Sequence, residues 1–270
     1  MPQHARFSLG ELEEKMRAIS RNWHEGSHQG NDGNPGNTLE MLLGIDENNL
    51  RIPDFGEIEI KAKQIERGGY ITLVHDEPNP PASVPRIIKA CGWRHKKAGH
   101  EYPADEMRFT STTFSNRYTS RGFTLELTDS QIRFNLHPDK CDRNAKDRSG
   151  IFSNLGQWLD DIERRTPHYT SVLPVYWSLD EFFNERVAKL ENTFLCLYKK
   201  RGRVSDNHVE YLFCEGSILN ELSMSRFRQE FSSGALSMEF DARTRHNHGV
   251  KLRIKPKSIE NLFARTRRIF

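Results

Sequence analysis

Residues 53–61 read Pro-Asp-Phe-Gly-Glu-Ile-Glu-Ile-Lys, and no other stretch constrains the chain more. From Glu57 onward polar and apolar residues alternate, the period of a β-strand. Successive strand side chains point to opposite faces, so Glu57, Glu59 and Lys61 share an exposed side while Ile58, Ile60 and Ala62 take the other. Asp54 lies an odd number of residues before Glu59 and would project from the wrong face of a regular strand. Phe55-Gly56 must therefore turn or bulge to bring the two carboxylates together.

At 270 residues the chain is long enough for one large domain or two lobes with cores of their own. Its 29 % charged residues and mean hydropathy of −0.74 exclude a membrane chain and fit a polar-surfaced globular protein. There is no apolar run of membrane-spanning length and no apolar leader after Met1, so the expected location is the cytoplasm. Cys91, Cys141, Cys196 and Cys214 are too scattered for a zinc site or a disulfide framework and are expected to be reduced. Residues 241–270 hold nine basic against two acidic residues on a chain whose net charge is only +3. A basic C-terminal face suits a polyanion; a solvated basic tail has the same composition.

Ser8-Leu-Gly-Glu11 is a capping box opening a helix to about Asn22, with Leu9, Leu12, Met16 and Ile19 on one stripe. Residues 25–37 form an Asn/Gly-rich loop, and Thr38–Leu43 a short helix stopped by Gly44. Strand patterns follow at 57–63, 70–75, 108–114, 122–127 and 130–136, then a helix near 150–165. The second half, from about Tyr169, predicts a helix from Ser178 to about Leu190 and another from Ser223 to Phe231. Its strands are expected at 193–198, 208–213, 236–240 and 250–254. This is a mixed α/β or α+β chain, read as a first lobe over 1–165 and a second over 166–270 with a groove between them. Trp158, Trp177, Phe182 and Phe183 are expected in the core.

Hydrolysing a phosphodiester needs an activated water, charge neutralisation at phosphorus and help for the leaving 3′-oxygen, all of which a carboxylate-held divalent ion can supply. Mg²⁺ takes oxygen ligands and keeps several waters, so two or three protein oxygens suffice. Asp54, Glu59 and the intervening Ile60 carbonyl offer such a set, with Lys61 beside them to stabilise anionic charge. By itself an acid-x-acid-x-Lys strand is also what a plain solvent face looks like. Glu57 fits a salt-bridging role better than a ligand role.

Gly36-Asn-Thr-Leu-Glu40, Leu43-Gly-Ile45 and Pro53-Asp-Phe-Gly-Glu-Ile-Glu-Ile-Lys61 together resemble the MvaI/BcnI family of type II restriction endonucleases, a MutH-like branch of the PD-(D/E)xK nucleases. The resemblance implies a nuclease core with two lobes around a DNA-binding cleft. In it Glu40 orients the site from its helix, Asp54 and Glu59 bind metal with the Ile60 carbonyl, and Lys61 completes the catalytic set. It also implies Mg²⁺ as cofactor, with Mn²⁺ substituting and Ca²⁺ supporting binding only. The expected partner is double-stranded DNA, bound by a monomer that cuts a short C/G-rich site and works beside a cognate DNA methyltransferase.

A second run, Asp241-Ala-Arg-Thr-Arg-His-Asn-His-Gly249 followed by Arg253, carries residues suited to base edges. Arginine pairs with guanine O6 and N7, aspartate accepts from cytosine N4, and histidine can donate to purine acceptors. The matching family segment carries an Asp-x-Arg pair, a His-x-His pair and a further Arg. The resemblance therefore assigns base reading to Asp241, Arg243, His246, His248 and Arg253. A solvated basic loop is the plain alternative; an HNH nuclease would spread its motif over a hairpin and helix, and a zinc site lacks further ligands here. Rival functions are a MutH-like strand-specific nickase and a DNA-binding module with vestigial chemistry.

Overall fold

A computed structural model describes residues 8–27, 34–45, 53–65, 67–167, 175–203, 208–247 and 249–270. In chain order the first elements are α1 (Leu9–Ile19), β1 (His24–Glu25), α2 (Asn34–Leu43), β2 (Glu59–Gln64), β3 (Ile71–Asp76), α3 (Ser83–Cys91), β4 (Trp93–Arg94), β5 (Met107–Thr113), β6 (Phe123–Leu127) and β7 (Gln131–Leu136). There follow α4 (Leu155–Arg165), β8 (Val175–Ser178), α5 (Leu179–Phe182), β9 (Asn192–Arg203), β10 (His208–Leu222), α6 (Met224–Ser232), β11 (Leu236–Arg243), β12 (His246–Asn247), β13 (Val250–Ile254) and β14 (Phe263–Arg268). Helices and mixed sheets make this an α+β protein, the class expected. No described helix is long and apolar enough to cross a membrane.

The chain divides into two compact units, and both are discontinuous in sequence. One draws on the chain up to Ile71, on Val187–Phe227 and on Lys255–Phe270. The other takes Thr72–Arg186 and Arg228–Ile254. A linear division near residue 165 does not describe this. The reason lies in strand pairing: β2 runs parallel to β9, from Glu59 opposite Thr193 to Gln64 opposite Tyr198. A parallel pair needs a long crossover, and here more than a hundred residues of the other unit fill it.

In the first unit the sheet order is β1-β10-β9-β2, with β14 also paired to β10, so β2 ends the row. The capping box predicted at Ser8 and Glu11 is formed, and Leu12, Met16 and Ile19 follow at i, i+4 and i+7 on the buried stripe of α1. Together with Leu39 and Leu43 of α2 they cover Phe55, Ile60, Phe194 and Phe213 of the sheet side. Each such side chain, fully buried, contributes about 1.5–3 kcal/mol. Helix α2 begins at Asn34, four residues earlier than predicted, because Pro35 suits a first helical turn; Gly44, at φ +77°, ends it in the left-handed region. Most of the Asn/Gly loop that precedes α2 lies outside the described residues.

The second unit holds a sheet of order β3-β13-β11-β5-β4, with β12 on β11, and a three-stranded sheet β6-β7-β8. Its core is aromatic: Phe109 meets Phe123 and Phe240 edge-on, with ring centres 5.3 and 5.6 Å apart, and Trp158 of α4 closes on Phe123 at 5.8 Å. Trp158, Trp177 and Phe182 are buried as expected, while Phe183 is half-buried. All four cysteines are free thiols.

Two expectations need correction. The helix predicted to reach Leu190 stops after Phe182, and the backbone continues as a π turn (Phe183–Val187) and a 3-10 turn (Ala188–Leu190). The C-terminal basic run is divided between the two units. Residues 241–254 belong to one unit, while Phe263–Arg268 forms β14 in the other. There Arg265, Arg267 and Arg268 pair with Glu221, Glu13 and Glu215 at 2.8, 2.6 and 3.4 Å.

Candidate functional site

The turn that the Asp54–Glu59 spacing demands is present. Phe55 and Ile58 exchange backbone hydrogen bonds, each 2.9 Å, and Gly56 between them has φ +63°. Only glycine takes that conformation without strain. The turn folds Asp54 back along β2, where its Oδ2 accepts from the Ile60 amide at 2.9 Å. Gly56→Ala is therefore expected to lower stability by about 1 kcal/mol. It should also lower the cleavage rate by moving Asp54, and unchanged single-turnover kinetics would show that the turn does not position the carboxylate.

Glu59 departs from expectation. It is not on an exposed face but 1 % exposed, whereas Glu57 sits in the turn and points to solvent. A buried carboxylate is costly unless paired. Two lysines pair it, both on Oε1: Lys61 from the same strand, and Lys189 at 2.8 Å from the 3-10 turn ahead of β9. Lys189 was not singled out from the sequence. Nothing local marks it, since only the parallel β2–β9 pairing brings it in. Glu59 Oε2 remains buried with no hydrogen-bond partner among the described residues. Burial and the charge of Glu59 push the Asp54 carboxyl above its ordinary range, against the lowering influence of Lys61 and the Ile60 amide. An orphaned carboxylate oxygen beside a second carboxylate held at an unfavourable charge is a donor set that fits a divalent cation. No group of three or more acidic, histidine or cysteine side chains gathers among the described residues, so such an ion would lean on two carboxylates, a backbone carbonyl and water. Glu40 is half-buried on α2, which packs against β2.

In the second unit β5, β11 and β13 present one polar face. Thr110 lies opposite Asp241, Arg108 opposite Arg243, and Thr112 and Lys251 both flank Glu239. Phe109, Met238, Phe240 and Leu252 alternate onto the buried side. Asp241 accepts from Arg108 at 3.0 Å. Arg243 stacks on Tyr102, its guanidinium carbon 4.4 Å from the ring centre, and donates to Glu106 at 3.1 Å. Glu106, 0 % exposed, also receives Arg245 at 2.8 Å. Burial would raise this carboxyl, but the bonds from Arg245 and Arg243 hold it below the usual carboxylate range.

Asp241, Arg243 and His246 line one cavity of about 190 Å³ with His95, Tyr102 and Arg108. Arg253 sits further along the sheet and is drawn to Glu239. His248 lies outside the described residues. Arg108 and Glu106, which hold two of the predicted readers, were missed because each meets its partner across more than 130 residues.

The profile of the MvaI/BcnI restriction endonuclease family matches residues 13–263, which span both units. The chain belongs to that family. It is a site-specific deoxyribonuclease of the type II restriction class. No curated protein sequence matches it. Among solved structures, restriction endonuclease MvaI in complex with its cognate DNA substrate superposes with a TM-score of 0.73 at 18 % identity, covering 98 % of this chain and 100 % of that one. The same enzyme in the absence of DNA gives a TM-score of 0.49 at 18 % identity over 100 % of each chain. The likeness to the complex establishes the shared fold, and the family match covers the motif words around Glu40, Asp54 and Lys61.

Proposed function

We propose that this protein is a Mg²⁺-dependent restriction endonuclease that cuts both strands of duplex DNA at a short C/G-rich site. Its reactive centre would be Asp54, Glu59 and Lys61, with Glu40 orienting it from α2. The observation that carries the reading is the buried Glu59, whose Oε2 is unpartnered beside Asp54 while two lysines crowd Oε1. Asp54, Glu59 and the Ile60 carbonyl would hold the ion; when bound, a divalent cation polarises the phosphate and lowers the pKa of a coordinated water. The chain's own part is positioning and charge. Lys61, on the same strand as Glu59, is less buried than that carboxylate (16 % against 1 % exposed) and can turn its ammonium toward a phosphate oxygen. Lys189 then remains as the partner of Glu59 Oε1. In the hydrolysis a water oxygen bonds phosphorus as the P–O3′ bond breaks, and the water's proton is released as the 3′-oxygen gains one. Mn²⁺ should substitute, and Ca²⁺ should support binding alone.

The solved MvaI complex contains cognate DNA, and we carry duplex binding to this chain on the shared fold. On its motif words we read it as a PD-(D/E)xK nuclease of MutH-like type. It would act as a cytoplasmic monomer alongside a methyltransferase that protects the same site. The unit bearing β2 is the catalytic one in this reading. The unit bearing β5, β11 and β13 reads bases through Asp241, Arg243, His246, His248 and Arg253.

Supercoiled plasmid incubated with Mg²⁺ tests the reading. Discrete linear fragments are expected, with ends that map the site. Nicked circles alone would make the protein a strand-specific nickase, and a gel shift without cleavage would make it a binding module. Base reading has its own test. Arg243→Ala or Arg253→Ala should cost roughly 1–3 kcal/mol on the mapped site and far less on a scrambled duplex. Equal losses on both duplexes would show that these arginines only grip phosphate.

A further inference from the structure

Beside the base-reading face the second unit carries a larger cavity, of about 580 Å³. Its wall shares Arg108 and His95 with the smaller cavity that holds Asp241, Arg243 and His246. No acidic side chain lines it, whereas Lys96, Lys97, Arg121, Lys146 and Arg148 do. Two of these cations are already neutralised. Lys97 pairs with Glu101 at 2.7 Å. Arg121 lies between the rings of Trp93 and Trp158, at 4.3 and 4.9 Å, and binds the buried Asp147 at 2.6 Å. Lys96, Lys146 and Arg148 are exposed and have no acidic partner among the described residues.

The backbone that carries two of these three is fixed. Asp147, 1 % exposed, accepts from the amides of Ser149, Ile151 and Phe152 at 2.9, 3.2 and 3.0 Å, besides the Ser149 hydroxyl and Arg121. One inward carboxylate thus fixes a loop whose two flanking residues, Lys146 and Arg148, face the cavity. Lys96 closes on the same loop at Gly150: a Cβ there would come within 3.1 Å of its Nζ. Hydroxyls of Thr110, Thr119 and Ser120 complete the wall, and hydroxyls and amines together are donors for phosphate oxygens.

We infer that this cavity is a backbone clamp: Lys96, Lys146 and Arg148 take consecutive phosphates of one DNA strand beside the base pairs that the adjoining face reads. The inference rests on the proposed function, which puts duplex DNA on that face. A strand of evenly spaced charges, continuous with the reading face, matches an open basic wall that continues from it. The three cations carry no sequence information; they set grip and register.

The test combines Lys96→Gln, Lys146→Gln and Arg148→Gln in the full chain. Because all three side chains are exposed, the thermal melting point should stay that of the wild type. Affinity for the mapped site and for a scrambled duplex is measured without divalent metal between roughly 50 and 200 mM salt. The slope of log K against log salt should fall by about 2–3 units on both duplexes, since each neutralised phosphate contributes about 0.9. The preference for the mapped site should not change. Wild-type binding with an unaltered slope in the variant overturns the inference alone, and so does a loss confined to the mapped site. Saturable binding of inorganic phosphate that the variant loses, with the DNA slope intact, would assign the cavity to a free anion instead. Failure of the wild-type protein to bind duplex DNA at all would overturn the proposed function and the clamp with it.

Discussion

Asp54→Ala and Glu59→Ala are each expected to lower single-turnover cleavage by at least about two to three orders of magnitude. Binding to the mapped site in Ca²⁺ should stay within about a few-fold of wild type, because affinity comes mainly from phosphate contacts elsewhere. The two variants differ in a useful way. Removing Asp54 relieves a carboxylate that burial and Glu59 already strain. Removing Glu59 strips the shared anion from Lys61 and Lys189, whose side chains are only 16 % and 22 % exposed. Glu59→Ala should therefore also lower stability, while Glu59→Gln, which keeps the volume, should separate the chemical loss from the structural one. Cleavage by Glu59→Gln or Asp54→Ala at near wild-type rate would sink the assignment of these carboxylates.

The lysines are not equivalent. Lys61→Ala should cost about two orders of magnitude in rate, the scale of a lost transition-state charge. Lys189 touches Glu59 at the same oxygen but comes from another element, so it acts through the carboxylate. Lys189→Ala is expected to be the milder lesion.

What was readable in the sequence follows from how local each signal is. The Ser8–Glu11 cap, the α1 stripe and the Phe55-Gly56 turn are decided within a few residues, and all three are found. The exposure of Glu59 was misjudged because alternation says which residues share a face but not what covers that face. The cover here includes Lys189, set in place by a strand far along the chain. The same limit hid the interleaved units, since no local pattern announces a parallel pairing across such a gap. On the polar face of β5, β11 and β13 the letters Asp241, Arg243 and His246 could be picked out, and they do meet in one cavity. Their supports, Arg108 and Glu106, belong to β5 and the residue before it, and only the sheet register joins them. Asp147 escaped notice for a related reason. Between Lys146 and Arg148 it looks like one more charge in a solvated loop, yet it is the buried residue of the three.

That burial makes Asp147 a point of failure in the second unit. Its carboxylate satisfies three backbone amides and is paired with an arginine that is itself only 11 % exposed. Breaking a buried pair leaves an uncompensated charge, so Asp147→Ala should cost about 3–5 kcal/mol. Burial alone would raise the Asp147 carboxyl; the bonds from Ser149 and the Phe152 amide, with the charge of Arg121, outweigh it and hold the group below its ordinary value. Between that folded value and the unfolded value near about 3.9, the unfolded chain binds the proton and the folded chain does not. The contribution is thus complete above about pH 4 and disappears as pH falls through the lowered folded value. Denaturant unfolding of wild type and Asp147→Asn should show a large gap at neutral pH that narrows steadily as the solution is acidified below about pH 4. Asn keeps one oxygen for the amides of Ile151 and Phe152, but its NH2 replaces the oxygen to which Arg121 and the Ser149 amide donate, so it removes the ion pair together with one amide bond. A gap that is absent at neutral pH, or that widens on acidification, would mean that the loop bearing Lys146 and Arg148 is held by something other than this carboxylate.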